Sequence, residues 1–378
     1  MSSITLKRIT KNYKKVRAVD DISLEVRDNE FFVIFGPAGA GKTSILNVIA
    51  GIIEPDQGVV LFDDEDITLV ESADRNVSMV FENYALYPHM SAYDNIASPL
   101  RSPKYKKNED EIKKEVYRVA SMLHITELLD RLPSQVSNGQ RQRIALGRSL
   151  VRSPRVFLMD EPLAHLDAKL RHAMRKELKL IQENFKSTTI YVTHDYSEAM
   201  SLGNRIAVID KGTIQQVGTP NEIFYTPANR FVARLFGEPE INIIPVEIEN
   251  SAQGSFVKLP WQGKSLPVNA LVGEKLKEAG LLDAGLRGMD IQYSLKPLAD
   301  SIRGTVYNIE PMGNQNCITV KIDDAQLQFM LPAELKPDLD SEIFLTFNMS
   351  NAIYFARADG RYLFRLGEDE LGRGETIG

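Results

Sequence analysis

A glycine-rich turn reads Gly36-Pro37-Ala38-Gly39-Ala40-Gly41-Lys42-Thr43-Ser44 and joins the apolar run Phe31–Phe35 to a second apolar run, residues 45–49. The spacing G-x-x-x-x-G-K-T between a strand and a helix is that of a P-loop. Glycines let backbone N–H groups approach phosphate oxygens, and the helix N-terminus adds partial positive charge. Lys42 would neutralise the β- and γ-phosphates, and the Thr43 hydroxyl is a ligand for Mg²⁺. The pattern predicts an α/β nucleoside triphosphatase.

Two later apolar runs also end in polar residues. Residues 156–159 lead into Asp160 and Glu161, and residues 189–193 lead into His194. Ligands bind at the carboxyl edge of an open parallel sheet, so Asp160 is predicted to hold Mg²⁺ and Glu161 to act as general base. A lone histidine is more often structural than catalytic. As a third strand end at one phosphate site, His194 is predicted to sense the γ-phosphate.

Three local features complete the first half of the chain. Strands are predicted over residues 4–10 and 22–26, with Tyr13 in the basic loop between them. The Tyr13 ring can stack on a purine or lie half-buried, and the spacing leaves both readings open. Ser137 is placed as the N-cap of a helix, which is a purely structural role. The alternative, functional interpretation is that this helix start binds an anion.

Length and charge limit the classes of function. A chain of 378 residues predicts two domains, and a net charge of -6 argues against a nucleic-acid partner. Cys317 is alone, which fits a reducing compartment. No apolar run is long enough to span a bilayer, and the N-terminus has no signal-peptide pattern. Any connection to a membrane is therefore expected to come through a partner.

Taken together, these motifs resemble the ATP-binding subunits of ABC importers, most closely the maltose-type carbohydrate-importer ATPases with a C-terminal β-rich regulatory domain. The resemblance covers essentially the whole chain. Residues 81–90, Phe-Glu-Asn-Tyr-Ala-Leu-Tyr-Pro-His-Met, resemble the Q-loop of that subgroup. Residues 160–171 resemble its Walker B and D-loop, including Asp167, and the signature segment matches Ser137, Asn138, Gly139 and Gln140.

The resemblance implies a head-to-tail pair of ATPase subunits with two ATP molecules at the interface. Each ATP would meet the P-loop of one chain and the signature segment of the other, with Tyr13 stacked on adenine. A Q-loop surface of Tyr84, Leu86, Tyr87 and His89 would be exposed to contact two integral membrane permeases, which in turn engage a solute-binding protein. The chain would lie peripherally on the cytoplasmic face of the inner membrane. The solute, by the same resemblance, is a carbohydrate or polyol.

The chain departs from the family pattern at three places. Glu82 replaces the Q-loop glutamine, which adds negative charge near the γ-phosphate and Mg²⁺ and removes a donor. Asn138 replaces a signature glycine, and Ala164-His165 replaces Ser-Asn in the D-loop. In a homodimer the first two changes would weaken both ATP sites. We therefore expect a heterodimer with a second, non-identical ATPase subunit, with a homodimer as the alternative.

The predicted domains are an ATP-binding domain over residues 1–236, a linker over 237–242 and a β domain over 243–378. The first includes a helical subdomain at about 90–152. Short β-type runs after the linker predict a small barrel, and residues 303–313 resemble the OB-type module of these ATPases. Subunit contact is the preferred role for this domain, with regulation as the alternative.

Two other functions fit a P-loop ATPase with a signature segment. A soluble ABC-type ATPase acting on ribosomes or DNA usually carries two cassettes in one chain or a long coiled coil, and this sequence shows neither. An exporter ATPase is disfavoured by the 84–90 loop and by the β-rich extension.

Overall fold

The computed structural model describes residues 2–103, 107–152, 154–164, 166–185, 187–277 and 279–366. His165 of the predicted D-loop and residues 367–378 lie outside the described residues. The chain divides into two compact units, residues 1–217 and 218–378. Helices of the described part are all too short or too polar to cross a bilayer.

The first unit contains an antiparallel sheet and a mostly parallel sheet. The antiparallel sheet has the order β2-β1-β4-β5, and the other has the order β10-β9-β3-β8-β7-β6. The strands are β1 (Ile4–Tyr13), β2 (Val16–Val26), β3 (Phe31–Phe35), β4 (Gln57–Phe62), β5 (Glu65–Asp66), β6 (Val77–Val80), β7 (Val156–Asp160), β8 (Thr188–Thr193), β9 (Arg205–Asp210) and β10 (Thr213–Gly218).

Hydrophobic burial explains why the central strands of the parallel sheet are rich in apolar residues. Every residue of β3, β7 and β8 is buried, as expected for strands that are covered on both faces. Strand β3 pairs in parallel with β8 and β9, and β7 pairs in parallel with β8 and β6. The carboxyl ends of β3, β6, β7 and β8 therefore meet at one edge of the sheet.

The helices of the first unit are α1 (Lys42–Ala50), α2 (Ala92–Ala97), α3 (Glu109–Met122), α4 (Asn138–Leu150), α5 (Ala168–Phe185) and α6 (Tyr196–Leu202). Helix α3 begins after Asn108, whose side chain caps it by accepting the Glu111 N–H. Its apolar stripe is buried, and α2, α3 and α4 pack against one another.

The second unit contains two antiparallel sheets that share a large hydrophobic core. Their orders are β13-β12-β11-β14-β20-β21 and β15-β19-β16-β17-β18. The strands are β11 (Asn242–Ser251), β12 (Gly254–Lys258), β13 (Ser265–Val268), β14 (Leu282–Leu286), β15 (Ile291–Ser294), β16 (Ile302–Pro311), β17 (Gln315–Ile322), β18 (Ala325–Pro332), β19 (Glu342–Phe347), β20 (Ile353–Ala356) and β21 (Tyr362–Arg365). Its helices are α7 (Pro220–Tyr225), α8 (Arg230–Leu235) and α9 (Ala270–Lys275).

The predicted all-β, OB-like C-terminal domain is confirmed in its fold, with the short helix α9 among its strands. The strands that the sequence missed include β14, whose buried Gly285 and Asp283 interrupt the expected alternation. Helices α7 and α8 lie in the second compact unit. The domain boundary after residue 236 stays a prediction.

Candidate nucleotide site

Four strand ends bring the predicted site residues to one edge of the parallel sheet. Strand β3 leads into the P-loop, β6 leads toward Glu82, β7 ends at Asp160 before Glu161, and β8 ends before His194. In the sheet order these strands run β3-β8-β7-β6. His194 therefore follows the strand that lies between the P-loop strand β3 and the strand β7 that ends at Asp160. The arrangement is the one that the sequence predicts, because parallel pairing aligns carboxyl ends.

The P-loop needs glycine at its two ends for steric reasons. A Cβ at Gly41, which has φ +102°, would lie 2.1 Å from the carbonyl oxygen of Ala18. A Cβ at Gly36 would lie 2.3 Å from the carbonyl oxygen of Ile209. Gly39 is also left-handed, but open space surrounds its Cβ position. Close backbone packing therefore fixes the loop, while its middle stays accessible to a phosphate-sized ligand.

Lys42 is buried at the start of α1. Its Nζ donates to the carbonyl oxygens of Gly36 and Pro37 at 2.9 and 3.0 Å and lies 3.5 Å from Glu161 Oε1. The ammonium is thus held inside the P-loop next to the predicted general base. Main-chain donors, a helix N-terminus and a buried cation together fit a polyphosphate.

Thr43 and Asp160 are paired, with the Thr43 hydroxyl donating to Asp160 Oδ1 at 3.2 Å. Burial raises the pKa of Asp160, and the negative charges of Glu161 and Glu82 raise it further. A divalent cation would relieve this repulsion, so the residues fit Mg²⁺. Within the described residues no three acidic, histidine or cysteine side chains form a metal site by themselves.

Glu161 and His194 form a hydrogen-bonded pair, with Oε2 and Nδ1 2.8 Å apart. Glu161 has φ +43°, a conformation that costs a non-glycine residue about 1 to 3 kcal/mol. Its N–H still donates to the carbonyl oxygen of Val192, which ties the residue to β8. Strain at a residue that is held by neighbouring structure is common at active sites. The geometry suits a preorganised base whose orientation is set by a histidine.

A polar network that sequence reasoning missed lies on both sides of His194 in the chain. Arg171 donates to Asp195 Oδ2 at 2.9 Å and to the carbonyl oxygen of Leu166 at 3.2 Å, so it connects the D-loop to the residue after His194. Buried Glu198 accepts from the hydroxyls of Tyr191 and Thr193. Burial raises the pKa of Glu198, and these hydroxyls oppose the shift.

Tyr13 is the last residue of β1, whereas the sequence predicted a loop over residues 11–15. Its partner across the hairpin is Val16, and the turn is confined to two lysines. The prediction was wrong because β1 and β2 continue as a twisted ribbon with irregular register beyond the apolar alternation. Tyr13 is 43% exposed, which leaves the side chain accessible to a ligand.

The signature segment, residues 137–140, begins α4. Ser137 Oγ accepts the Gln140 N–H at 3.3 Å, and Gln140 Oε1 accepts the Ser137 N–H at 2.9 Å, which completes a capping box. Asn138 is exposed and helical, so it carries none of the positive-φ strain that a substituted glycine can bring. Gly139 is buried, and a Cβ there would meet Leu170 at 2.3 Å. Asp167 caps α5 by accepting the Leu170 N–H.

The predicted permease surface needs one correction. Of Tyr84, Leu86, Tyr87 and His89, Tyr87 and His89 are exposed and Leu86 is partly exposed, but Tyr84 is only 6% exposed. Tyr84 has φ +62° and Ala85 has φ +43°, so the backbone turns the Tyr84 ring inward. Burial raises its pKa. Tyr84 therefore belongs to the interior of the Q-loop.

Arg148 holds this unusual turn in place. From the C-terminal part of α4 it donates to the carbonyl oxygens of Ala85 and Tyr84 at 2.7 and 3.0 Å. Its guanidinium also lies over the Tyr87 ring, 5.4 Å from the ring centre. The helix that begins with the signature segment is thus bonded to the Q-loop at its other end. No local pattern marks Arg148, because its partners are backbone atoms more than 60 residues away.

Comparisons with known sequences agree with this geometry. Residues 19–164 match the ABC transporter family model. The chain is 39% identical to the trehalose/maltose import ATP-binding protein MalK of Thermococcus litoralis over 96% of this chain and 100% of that one. It is 40% identical to the xylose/arabinose import ATP-binding protein XacK of Haloferax volcanii over 86% and 84%. It is 47% identical to the sn-glycerol-3-phosphate import ATP-binding protein UgpC of Psychromonas ingrahamii over 66% and 67%.

Solved structures show the same fold for the first part of the chain. The dimeric post-hydrolysis state of the ATP-binding cassette MJ0796, bound to ADP and Pi, aligns with a TM-score of 0.54 and 29% identity over 57% of this chain and 98% of that one. A nucleotide-free cassette from an ABC transporter aligns with a TM-score of 0.52 and 26% identity over 58% and 92%.

The relatives are import proteins, which supports the importer over a soluble ATPase that acts on ribosomes or DNA. The Thermococcus litoralis MalK protein is matched over its whole length, and the P-loop and Walker B residues lie inside the family match. The chain belongs to the family of ABC-importer ATP-binding subunits, ATPases coupled to solute import.

Proposed function

We propose that this subunit hydrolyses ATP to power uptake of a small carbohydrate or polyol. The convergence of Lys42, Asp160, Glu161 and His194 at one sheet edge carries the proposal. The solute class is supported by relatives named for trehalose, maltose, xylose, arabinose and glycerol phosphate import.

Each residue at the edge has a distinct role in this proposal. The P-loop backbone and Lys42 bind the phosphates, and Tyr13 stacks on the base. Thr43, Asp160 and Glu82 hold Mg²⁺, which supplies positive charge against the phosphate oxygens. Glu161 accepts the proton of the attacking water, and His194 orients Glu161 through the 2.8 Å hydrogen bond.

The second half of each site comes from another ATPase subunit. Ser137, Asn138, Gly139 and Gln140 begin a 13-residue helix, whose N-terminus favours an anion such as a phosphate held by the partner. Asp167 lies in the adjacent D-loop. Dimeric cassettes among the related structures support a pair. Glu82 would lie at the site that holds this chain's own ATP, and Asn138 would face the ATP of the partner. A homodimer would carry both substitutions at both sites, so we propose a non-identical partner with an intact signature segment.

The permease contact is proposed at a groove of about 620 Å³ beside the Q-loop. Ile52, Phe81 and Tyr87 line it, with Arg148 on one wall. Its mixed apolar and basic lining suits an amphipathic helix from a membrane partner. Two permeases, with a solute-binding protein beyond them, would hold this subunit at the cytoplasmic face of the membrane.

Affinity purification of the native complex tests this function directly. We expect integral membrane permeases, a solute-binding protein and a second ATPase species, identified by mass spectrometry. One ATPase species at two copies would overturn the heterodimer, and recovery with ribosomes or DNA in place of permeases would overturn the importer.

We predict that Glu82→Gln raises the ATPase rate of the purified complex about tenfold. The glutamine keeps an oxygen ligand, removes one negative charge from beside Asp160 and restores an N–H donor, and a charge-assisted hydrogen bond is worth about 1.5 to 3 kcal/mol. Phosphate release under saturating ATP measures the effect. Glu71→Gln, the same change at an exposed site, is the control. An unchanged or lower rate in Glu82→Gln would contradict the prediction that Glu82 slows ATP hydrolysis.

A further inference from the structure

A cavity of about 180 Å³ lies within the second unit, formed by α7, the segment after β14, and strands β20 and β21. Two arginines and two aromatic residues dominate its lining: Phe224, Tyr225, Arg287 and Arg365. At about 30 Å³ per water molecule, its volume equals that of roughly six waters, which is enough for a small organic molecule. The established ATPase chemistry uses none of these residues.

Arg287 is a buried cation whose charge is only partly compensated. It is 7% exposed and donates to the carbonyl oxygens of Phe236 and Phe224, while its guanidinium stacks on the Phe224 ring at 3.5 Å. Its Nε is buried and has no hydrogen-bond partner within the described part of the chain. Burial lowers the pKa of Arg287 to about 10. Burying a guanidinium whose charge is incompletely compensated is costly, so a negative charge in the adjacent cavity would be stabilised.

Arg365 adds a second positive charge to the same cavity. It is half-buried and lies over the Tyr225 ring, 4.8 Å from the ring centre. Among residues 2–366 as described, its side chain makes no hydrogen bond or ion pair, and its charge contributes to the lowered pKa of Arg287. Two guanidinium groups that repel each other therefore face one small space.

One acidic residue, Asp290, limits the charge that the cavity can accept. Its carboxylate lines the cavity and accepts a hydrogen bond from Asn351 Nδ2 at 2.7 Å. Two arginines and one aspartate leave a net charge of about +1, which matches a monoanion. A dianion such as a phosphate monoester would meet repulsion from Asp290. Met289 and Ile353 supply apolar wall for a short carbon skeleton.

We propose that this cavity binds a small organic acid with a single carboxylate group. Arg365 supplies the planar donor fork that suits a carboxylate, Arg287 supplies the buried positive charge, and the aromatic rings hold both guanidiniums in place. The site lies entirely in the second unit and does not depend on the proposed solute or on the heterodimer.

Isothermal titration of the full-length chain with pyruvate, lactate and glycerate tests the proposal, with inorganic phosphate and glycerol as comparison ligands. We expect saturable binding of at least one monocarboxylate, no binding of glycerol, and at least tenfold weaker binding of the acid in Arg365→Met. Arg303→Met is the control, because Arg303 is an exposed, ion-paired arginine of the same unit, outside the cavity. Arg365→Lys should bind with intermediate affinity, since it keeps the charge but loses the fork.

Phosphate binding that survives Arg365→Met belongs to the P-loop and leaves the proposal standing. Three results would overturn it: no saturable binding of any of the three acids, acid binding that Arg365→Met does not change, or Arg365-dependent binding of phosphate that is tighter than that of the acids. Circular dichroism checks that each variant is folded. Arg287 is left intact in these tests because its bonds to two carbonyl oxygens stabilise the unit.

Discussion

Glu161→Gln is expected to lower the ATP hydrolysis rate of the complex by about two to four powers of ten while ATP binding is retained. That range is the usual contribution of a positioned general base. Glutamine has the size of glutamate and can still bond to His194, but its amide cannot accept a proton at neutral pH. The P-loop and the paired Thr43 and Asp160 are unchanged by the substitution, so the proposed contacts to phosphate and Mg²⁺ should remain.

Two measurements distinguish a role of Glu161 as general base from a role in ATP binding. Phosphate release gives the hydrolysis rate, and equilibrium binding of ATP to the same variant gives the dissociation constant. Glu127→Gln, an identical change at an exposed position of the first unit, should leave both unchanged. Hydrolysis within about fivefold of the parent would assign the base to another group. Lost ATP binding in Glu161→Gln would instead indicate that Glu161 organises the P-loop through Lys42.

Arg75→Met is expected to reduce the free energy of unfolding of the first unit by about 3 to 5 kcal/mol. Arg75 is 4% exposed and donates to four backbone carbonyls, those of Val48, Ile49, Thr68 and Val70, at 2.8 to 3.0 Å. Two of these carbonyls belong to the last turn of α1, where few helical N–H donors remain. The Gly51 N–H reaches the Val48 oxygen at 3.1 Å. Methionine fills much of the volume but leaves the acceptors without a charged donor.

Urea unfolding followed by far-UV circular dichroism measures this loss. The single tryptophan, Trp261, lies in the core of the second unit, so its fluorescence follows that unit separately. Arg118→Met removes an exposed ion pair with Glu115 and should cost less than about 1 kcal/mol. A loss below about 1 kcal/mol in Arg75→Met would mean that the carbonyls find other donors. Because Arg75 bonds to the last turn of α1, faster amide exchange in residues 42–51 should accompany the expected loss of stability.

The residues at the nucleotide edge of the sheet could be predicted from the sequence because they belong to short motifs. The P-loop follows the buried strand β3, and His194 follows β8. Asp160 is the last residue of β7, and Glu161 comes directly after it. Parallel pairing then brings these strand ends together, so local order along the chain predicts proximity in space. The Asn108 and Ser137 caps were predictable for the same reason, since a cap and the N–H group that it binds are three residues apart.

Tertiary structure alone decided where the long cationic side chains act. Arg75, Arg148 and Arg171 all donate to backbone carbonyls, and carbonyls carry no sequence identity that a pattern can detect. The inward turn of Tyr84 has the same origin, because a left-handed backbone supported by Arg148 overrides the exposure expected from family resemblance. In the second unit, the cavity with Arg287 and Arg365 arises from residues about 80 positions apart, which meet only when β14 pairs with β20 and β20 pairs with β21. The sequence by itself therefore determined the reaction edge, whereas the supports of that edge and the second cavity depend on long-range contacts with the backbone.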